Sequence, residues 1–285
     1  MIPRSAKPRK TYDFIIKIFA WLASLSGIVI LAWILYTVIV KGFSSFDLAF
    51  FTELPAPPGV GGGGLANAIL GTIVISLLAS VIGIPIGMLA GIYLSEFGKN
   101  SNFAESVRFF TNILMGTPSI IIGIFVYTII VLQAGNFSAY AGAVALAIMM
   151  IPLVARTTED MLQMVPSSVR EAALALGTPR WKTILDIVFR SAKKGLITGV
   201  LLAVARISGE TAPLLFTALN SPYWLNGLNE PTANLTVTIF NYAMSPYDDW
   251  QQMAWGASLL ITVGVLAVTV TTRFLFKEKT KNKII

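Results

Sequence analysis

Of 285 residues, 55% are hydrophobic and only 12% are charged, against about 25% charged in an average soluble domain. So few charges cannot cover a soluble protein of this size, and the composition is that of a membrane protein. The chain has no cysteine and no histidine. That excludes disulfides, thiolate and imidazole metal sites, a cysteine nucleophile and Ser-His-Asp catalysis.

Six stretches reach the roughly 20 apolar residues that a spanning helix needs: 14–40, 65–94, 107–132, 137–155, 195–219 and 253–276. Lipid allows only helices or closed barrels, and continuous runs of this length mean helices. The expectation is a single all-α, polytopic domain over 1–285 with six transmembrane helices and a long loop at 156–194.

The first span follows Arg4, Lys7, Arg9 and Lys10. It is too long for a signal-peptide core and lacks a small-residue cleavage site, so it reads as a retained anchor. Gly59 to Gly64 next satisfies G-x-G-x-x-G formally, but Pro55, Pro57 and Pro58 precede it where a dinucleotide fold needs a strand. An external hinge is the default reading; free N–H groups meeting an anion or partner is the sharper one. In the second span Gly83, Gly87 and Gly91 recur every four residues, a small-residue seam for close helix contact. Pro85, Pro118, Pro152 and Pro213 interrupt spans, each removing a helical hydrogen bond. Trp21, Trp33, Trp224, Trp250 and Trp255 read as packing or interfacial residues.

Loop 156–194 is the longest between spans. Ser168 with Glu171 forms a capping box, 171–176 is a short Ala-rich helix, and Gly177 closes it. Thr178 caps a second helix with Pro179 at its first position. Two readings stand: a compact surface for a partner's groove, or an ordinary interfacial hairpin. The segment from Gly177 to Thr183 has Trp181 where a phosphate loop needs its second glycine, and there is no Walker A sequence anywhere.

The fifth span carries two charges near its centre, Arg206 and Glu210. A midplane charge costs about 2.5–3.5 kcal/mol on insertion scales. At i,i+4 the two would share a helix face, about 6 Å apart along the axis. One reading is a self-neutralising pair. The other is a substrate pathway: Arg before Glu is the poorer order for an intrahelical pair, and guanidinium suits bidentate oxyanion binding.

Basic residues crowd the N-terminus, the loop with Lys99 and Arg108, loop 156–194, and the tail from Arg273 to Lys283. The intervening loops carry Asp47, Glu53, Glu230, Asp248 and Asp249, with Lys41 alone at a helix end. This alternation puts both termini in the cytoplasm. It also accounts for the net charge of +7 without a nucleic-acid partner.

Glu171-Ala172-Ala173, Gly177 and Ile187 resemble the EAA loop of ABC importer permeases; Phe189-Arg190 stands where that pattern has Leu-Pro. The stretch from Ala205 to Ala218 (ARISGETAPLLFTA) is similar to the A-type permease subunit of phosphate ABC importers. So are the stretch from Gly116 to Gly123 (GTPSIIIG), Arg156-Thr157-Thr158-Glu159 and Gly71-Thr72. The likeness runs from the second span onward. It implies a type I ABC importer permease fold, a non-catalytic subunit without cofactor or metal, and coupling to a separate ATPase dimer through Glu171, Ala172, Ala173 and Gly177. It further implies a homologous C-type permease partner and a periplasmic or extracellular phosphate-binding protein, in the bacterial cytoplasmic (inner) membrane. Phosphate would pass Arg206 and Glu210, with Ser208, Thr211 and Thr217 supplying hydroxyls. The alternatives are a secondary anion transporter or channel gated by Arg206 and Glu210, and an ABC permease for another oxyanion. A non-transporting scaffold leaves Arg206 unexplained.

Overall fold

A helix satisfies its own backbone hydrogen bonds, which hydrocarbon demands. The computed structural model describes residues 6–98 and 101–276, and among them the regular structure is helical, with one isolated bridge between Pro55 and Gly63. Arg4, Lys99 and Lys283 lie outside the described residues. In chain order the helices are α1 (Ala6–Phe43), α2 (Leu48–Thr52), α3 (Ala66–Glu96), α4 (Asn102–Gly116) and α5 (Ser119–Val126). A π turn (Tyr127–Val131) leads to α6 (Leu132–Ala134), then α7 (Ala139–Gln163), α8 (Ser167–Ala175) and α9 (Arg180–Lys182). A second π turn (Thr183–Val188) leads to α10 (Phe189–Ser208), α11 (Ala212–Leu215), α12 (Leu235–Ala243) and α13 (Asp248–Phe276).

Among the described residues four helices are long and apolar enough to cross a membrane: Tyr12–Phe43, Ala66–Glu96, Ala139–Gln163 and Asp248–Thr271. A fifth is the pair α4 and α5–α6, bent by 103°. So the third span, expected at 107–132 with Pro118 interrupting it, is bent sharply at that proline. Pro118 bars its predecessor from the helical region, and Thr117 sits at φ −74, ψ 131. The apolar helix starts at Ser119, while α4 turns aside with Arg108 held against the end of α3. α10 carries Arg190, Lys193 and Lys194 early and Arg206 in its last turn, too many charges to qualify on composition alone.

The span expected at 195–219 is also broken. α10 ends at Ser208 with Gly209 as its C-cap, and helix resumes only at Ala212, with Pro213 in the first turn of α11. Proline lacks the N–H that a continuous helix would use there.

The centre of the bundle is α3 against α7. A Cβ on Gly87 would come within 2.8 Å of the Ile151 carbonyl oxygen, and one on Gly91 within 2.5 Å of that of Ala155. The glycine seam is therefore what lets the two backbones approach. Ile75, Ala79, Leu146, Met150, Val154, Ala203 and Ile207 extend this core to α10. Pro85 and Pro152 sit inside α3 and α7 without ending them. α1 exposes apolar side chains all round, Trp21 and Trp33 among them, and approaches α13 where a Cβ on Gly42 would meet the Trp255 carbonyl. Such a helix suits lipid or another helix rather than water.

In the 59–64 run Gly61 and Gly62 stand open and exposed, while Gly63 and Gly64 pack back on residues 49–56. Gly64 N–H donates to the Leu54 carbonyl, Leu65 N–H to that of Phe50, and a Cβ on Gly63 would sit 2.4 Å from the Ala56 nitrogen.

Candidate functional site: a broken helix and a charged clamp

The break after α10 is built by four separate segments. Gly71 lets the 232–236 loop approach, since a Cβ there would lie 1.9 Å from the Ala233 carbonyl oxygen. Thr72 Oγ1 then accepts the Leu235 N–H at 2.8 Å. Asn234 caps α12 by accepting the Val237 N–H at 3.0 Å, and Thr236 Oγ1 donates to the Glu210 carbonyl at 2.8 Å. From the other side a Cβ on Gly123 would come 2.7 Å from Pro213 Cα, so α5 packs directly on α11. The motifs singled out along the sequence at 71–72, 116–123 and 205–218 thus meet in one place.

Arg206 lies in the last turn of α10 and is exposed; among the described residues its guanidinium makes no ion pair or hydrogen bond. Glu210 lies in the non-helical break, partly buried. The two do not form the i,i+4 pair that a continuous helix would give, because the helix stops between them. Two of the expected hydroxyls are committed to backbone: Ser208 donates to Val204 at 2.8 Å, and buried Thr217 to Pro213 at 2.7 Å. Thr211, at the N-cap of α11, is partly buried and makes no described side-chain hydrogen bond.

At the basic end of the bundle α8 stands on the surface. Glu171, Ala172 and Leu174 are exposed and Ala173 is buried beneath them, while Leu176 is 87% exposed. Gly177 adopts φ +79. Its N–H donates to Leu174 and that of Thr178 to Ala173, the two bonds of a Schellman C-cap. The expected capping box is absent: the N-cap is Pro166, Ser168 lies inside the helix, and no side chain caps it. Likewise the N-cap of α9 is Pro179 rather than Thr178.

Sequence reading missed the clamp behind α8. Arg170 forks onto Glu96 at the end of α3, with Nη2–Oε1 at 2.7 Å and Nε–Oε2 at 3.1 Å, their side chains 17% and 7% exposed. The same guanidinium donates to the carbonyls of Val165 at 2.6 Å and Leu162 at 2.7 Å. Arg180 Nη2 donates to the Glu96 carbonyl at 2.7 Å and its guanidinium lies 4.9 Å from the Phe97 ring centroid. Nearby, Arg108 pairs with buried Glu159 at 2.8 Å, and Arg156 reaches Asp160 at 3.3 Å. The available signal was Glu96, a carboxylate at the end of an apolar span whose neighbouring loops are basic.

Among the described residues, a helical bundle of long apolar helices with one span broken around a charge is the architecture of a multi-pass membrane protein. Its fold matches the structure described as inward-facing conformations of the MetNI methionine ABC transporter, with a TM-score of 0.63 over 74% of this chain and 94% of that one, at 18% identity. The chain belongs to the family of binding-protein-dependent transport system inner membrane components, whose model matches residues 83–278. It is 49% identical to the phosphate transport system permease protein PstA of Yersinia pestis, over 95% of this chain and 92% of that one. It is 48% identical to the protein of the same name from Haemophilus influenzae, over 95% and 96%. A probable phosphate permease of Methanocaldococcus jannaschii is 40% identical over 77% and 78%.

Proposed function

We propose that this chain is the transmembrane permease subunit of an ATP-driven importer carrying inorganic phosphate across the cytoplasmic membrane. The observation that carries the reading is the position of Arg206, a cation exposed at a helix break and without an ion-pair partner among the described residues, in a chain nearly half identical to phosphate permeases. Guanidinium recognises phosphate oxyanions bidentately. Glu210, in the same break, tempers the attraction so that the anion is released, as conduction requires. Thr211 is the best placed of the three hydroxyls to donate to phosphate. Ser208 and Thr217 shape the break through their backbone bonds.

The basic end, with α8, faces the cytoplasm, both termini included, and the acidic end faces outward. The chain pairs with a homologous permease across the exposed Arg206 face. A dimer of separate ATPase subunits docks at Glu171, Ala172, Ala173 and Gly177. An external phosphate-binding protein delivers substrate. ATP-driven closure of the ATPase dimer moves α8, and Arg170 passes that movement to Glu96 and α3.

The test is reconstitution of the four kinds of subunit in vesicles with radiolabelled phosphate. Uptake should require ATP and the binding protein. Uptake by this chain alone on an ion gradient would replace the reading with a secondary carrier, and import of a different oxyanion in preference would overturn the substrate.

A further inference from the structure

Where α7 ends and α10 begins lies a cavity of about 360 Å³ that none of the transport steps uses. One side of it is apolar: Met161, Met164 and Val165 around the end of α7, and Val169 of α8. The other side is polar, formed by Ser191 and Lys194 of α10. Gly195 also lines it, and a Cβ there would collide with Met161 Sδ, so α10 meets α7 at the cavity. The apolar run 195–219 starts at that glycine, which sets the cavity where hydrocarbon gives way to headgroups. Arg190 and Lys194 are four residues apart on α10 and share a face. Both are exposed, and among the described residues neither makes an ion pair. Like charges at that spacing destabilise a helix. Between residues 172 and 209 the one carboxylate is Asp186, and it too is exposed and makes no ion pair among the described residues.

Two uncompensated cations beside an apolar wall call for an occupant that is an anion at one end and apolar at the other. A small oxyanion alone would need donors on several sides. Ser191 Oγ already donates to the Ile187 carbonyl at 2.7 Å, and the opposite wall is thioether and aliphatic. Met164, 74% exposed, is a large apolar side chain with an adaptable shape. Basic pockets between membrane helices at the cytoplasmic side suit anionic lipid headgroups. A zwitterionic lipid brings its own ammonium and gains less from the two cations. We propose that this cavity holds the headgroup of an anionic phospholipid such as phosphatidylglycerol, its phosphate on Arg190 and Lys194 and its glycerol and upper acyl carbons on Met161, Met164 and Val165. The inference needs neither the phosphate substrate nor the direction of transport.

The experiment places the assembled transporter in phosphatidylcholine nanodiscs with a trace of phosphatidylglycerol carrying a photoactivatable headgroup, and maps the cross-links by peptide mass spectrometry. Labels should fall in 161–169 and 190–195 and be displaced by unlabelled phosphatidylglycerol but not by phosphatidylcholine. Lys194→Gln should cut this labelling about fivefold, and Lys194→Gln with Arg190→Gln about twenty-five-fold, the worth of one and two cations beside an anionic headgroup. Both side chains are exposed, so the variants should still co-purify with all subunits. Lys182→Gln, an exposed cation outside the cavity, should change nothing. An equal loss in Lys182→Gln would reduce the effect to general surface charge and overturn the proposal. So would labelling indifferent to Arg190 and Lys194, displacement of the lipid by inorganic phosphate alone, or labelling that appears only after the ATPase subunits are stripped away. A complex that labels as expected but imports another oxyanion would refute the substrate and leave the lipid site standing.

Discussion

A cation in the apolar part of a membrane protein is costly unless it is paired or hydrated, and Arg206 has no ion-pair partner among the described residues. Its removal therefore strands no carboxylate. Arg206→Gln should leave assembly of the complex intact, measured as co-purification of all subunits, and abolish phosphate uptake. Arg206→Gln combined with Glu210→Gln should be equally inactive, and Arg206→Lys should keep reduced uptake, since charge remains but the planar fork is lost. A double variant transporting at the wild-type rate would return Arg206 to a structural role. Ser168 offers a contrast. The capping-box reading expects Ser168→Ala to cost about 1 kcal/mol; with Ser168 inside α8 and capping nothing, thermal melting of the complex should be unchanged.

At the level of the element, α8 is held at both ends by different means. Gly177 closes it in a left-handed conformation that costs an ordinary residue about 1–2 kcal/mol. Gly177→Ala should thus loosen the C-terminal cap and lower phosphate-stimulated ATP hydrolysis while uptake machinery still inserts. The other anchor is stronger: removing one partner of a buried ion pair costs about 3–5 kcal/mol. Glu96→Gln should accordingly uncouple hydrolysis from uptake, seen as ATP turnover that no longer responds to the loaded binding protein. Reversing the pair, Glu96→Arg with Arg170→Glu, should recover part of the response. Full coupling in Glu96→Gln would show that α8 needs no tether to α3.

Across the whole molecule, charge sorts the two ends and small residues fix the bundle. The chain has no native cysteine, so single cysteines report cleanly. Asn226→Cys should label with an impermeant maleimide from outside, and Lys182→Cys only after permeabilisation. Labelling of Lys182→Cys in intact cells would invert the orientation. Gly87→Leu drives a side chain into the Ile151 backbone and Val154. Overpacking of that kind costs about 1–3 kcal/mol or more, and since neither backbone can retreat it should lower the yield of folded chain outright, read by size-exclusion of the solubilised protein.

By itself the sequence determined the helical class, the permease family likeness and the glycine seam, because hydropathy, small-residue spacing and local motifs are one-dimensional signals. Proline and glycine even marked where helices end. They could not say how far a break would open: a stretch of 25 apolar residues reads as one span, and only the packing of Gly123 on Pro213 and of Thr236 on Glu210 decided that it is two pieces with a loop between. That break separated Arg206 from Glu210, which spacing alone put on one face. The clamp of Glu96 and Arg170, 74 positions apart, and the pocket joining residues 161, 169 and 194 were decided by tertiary structure. Both depend on segments distant in sequence meeting in space, and no local pattern records such a meeting.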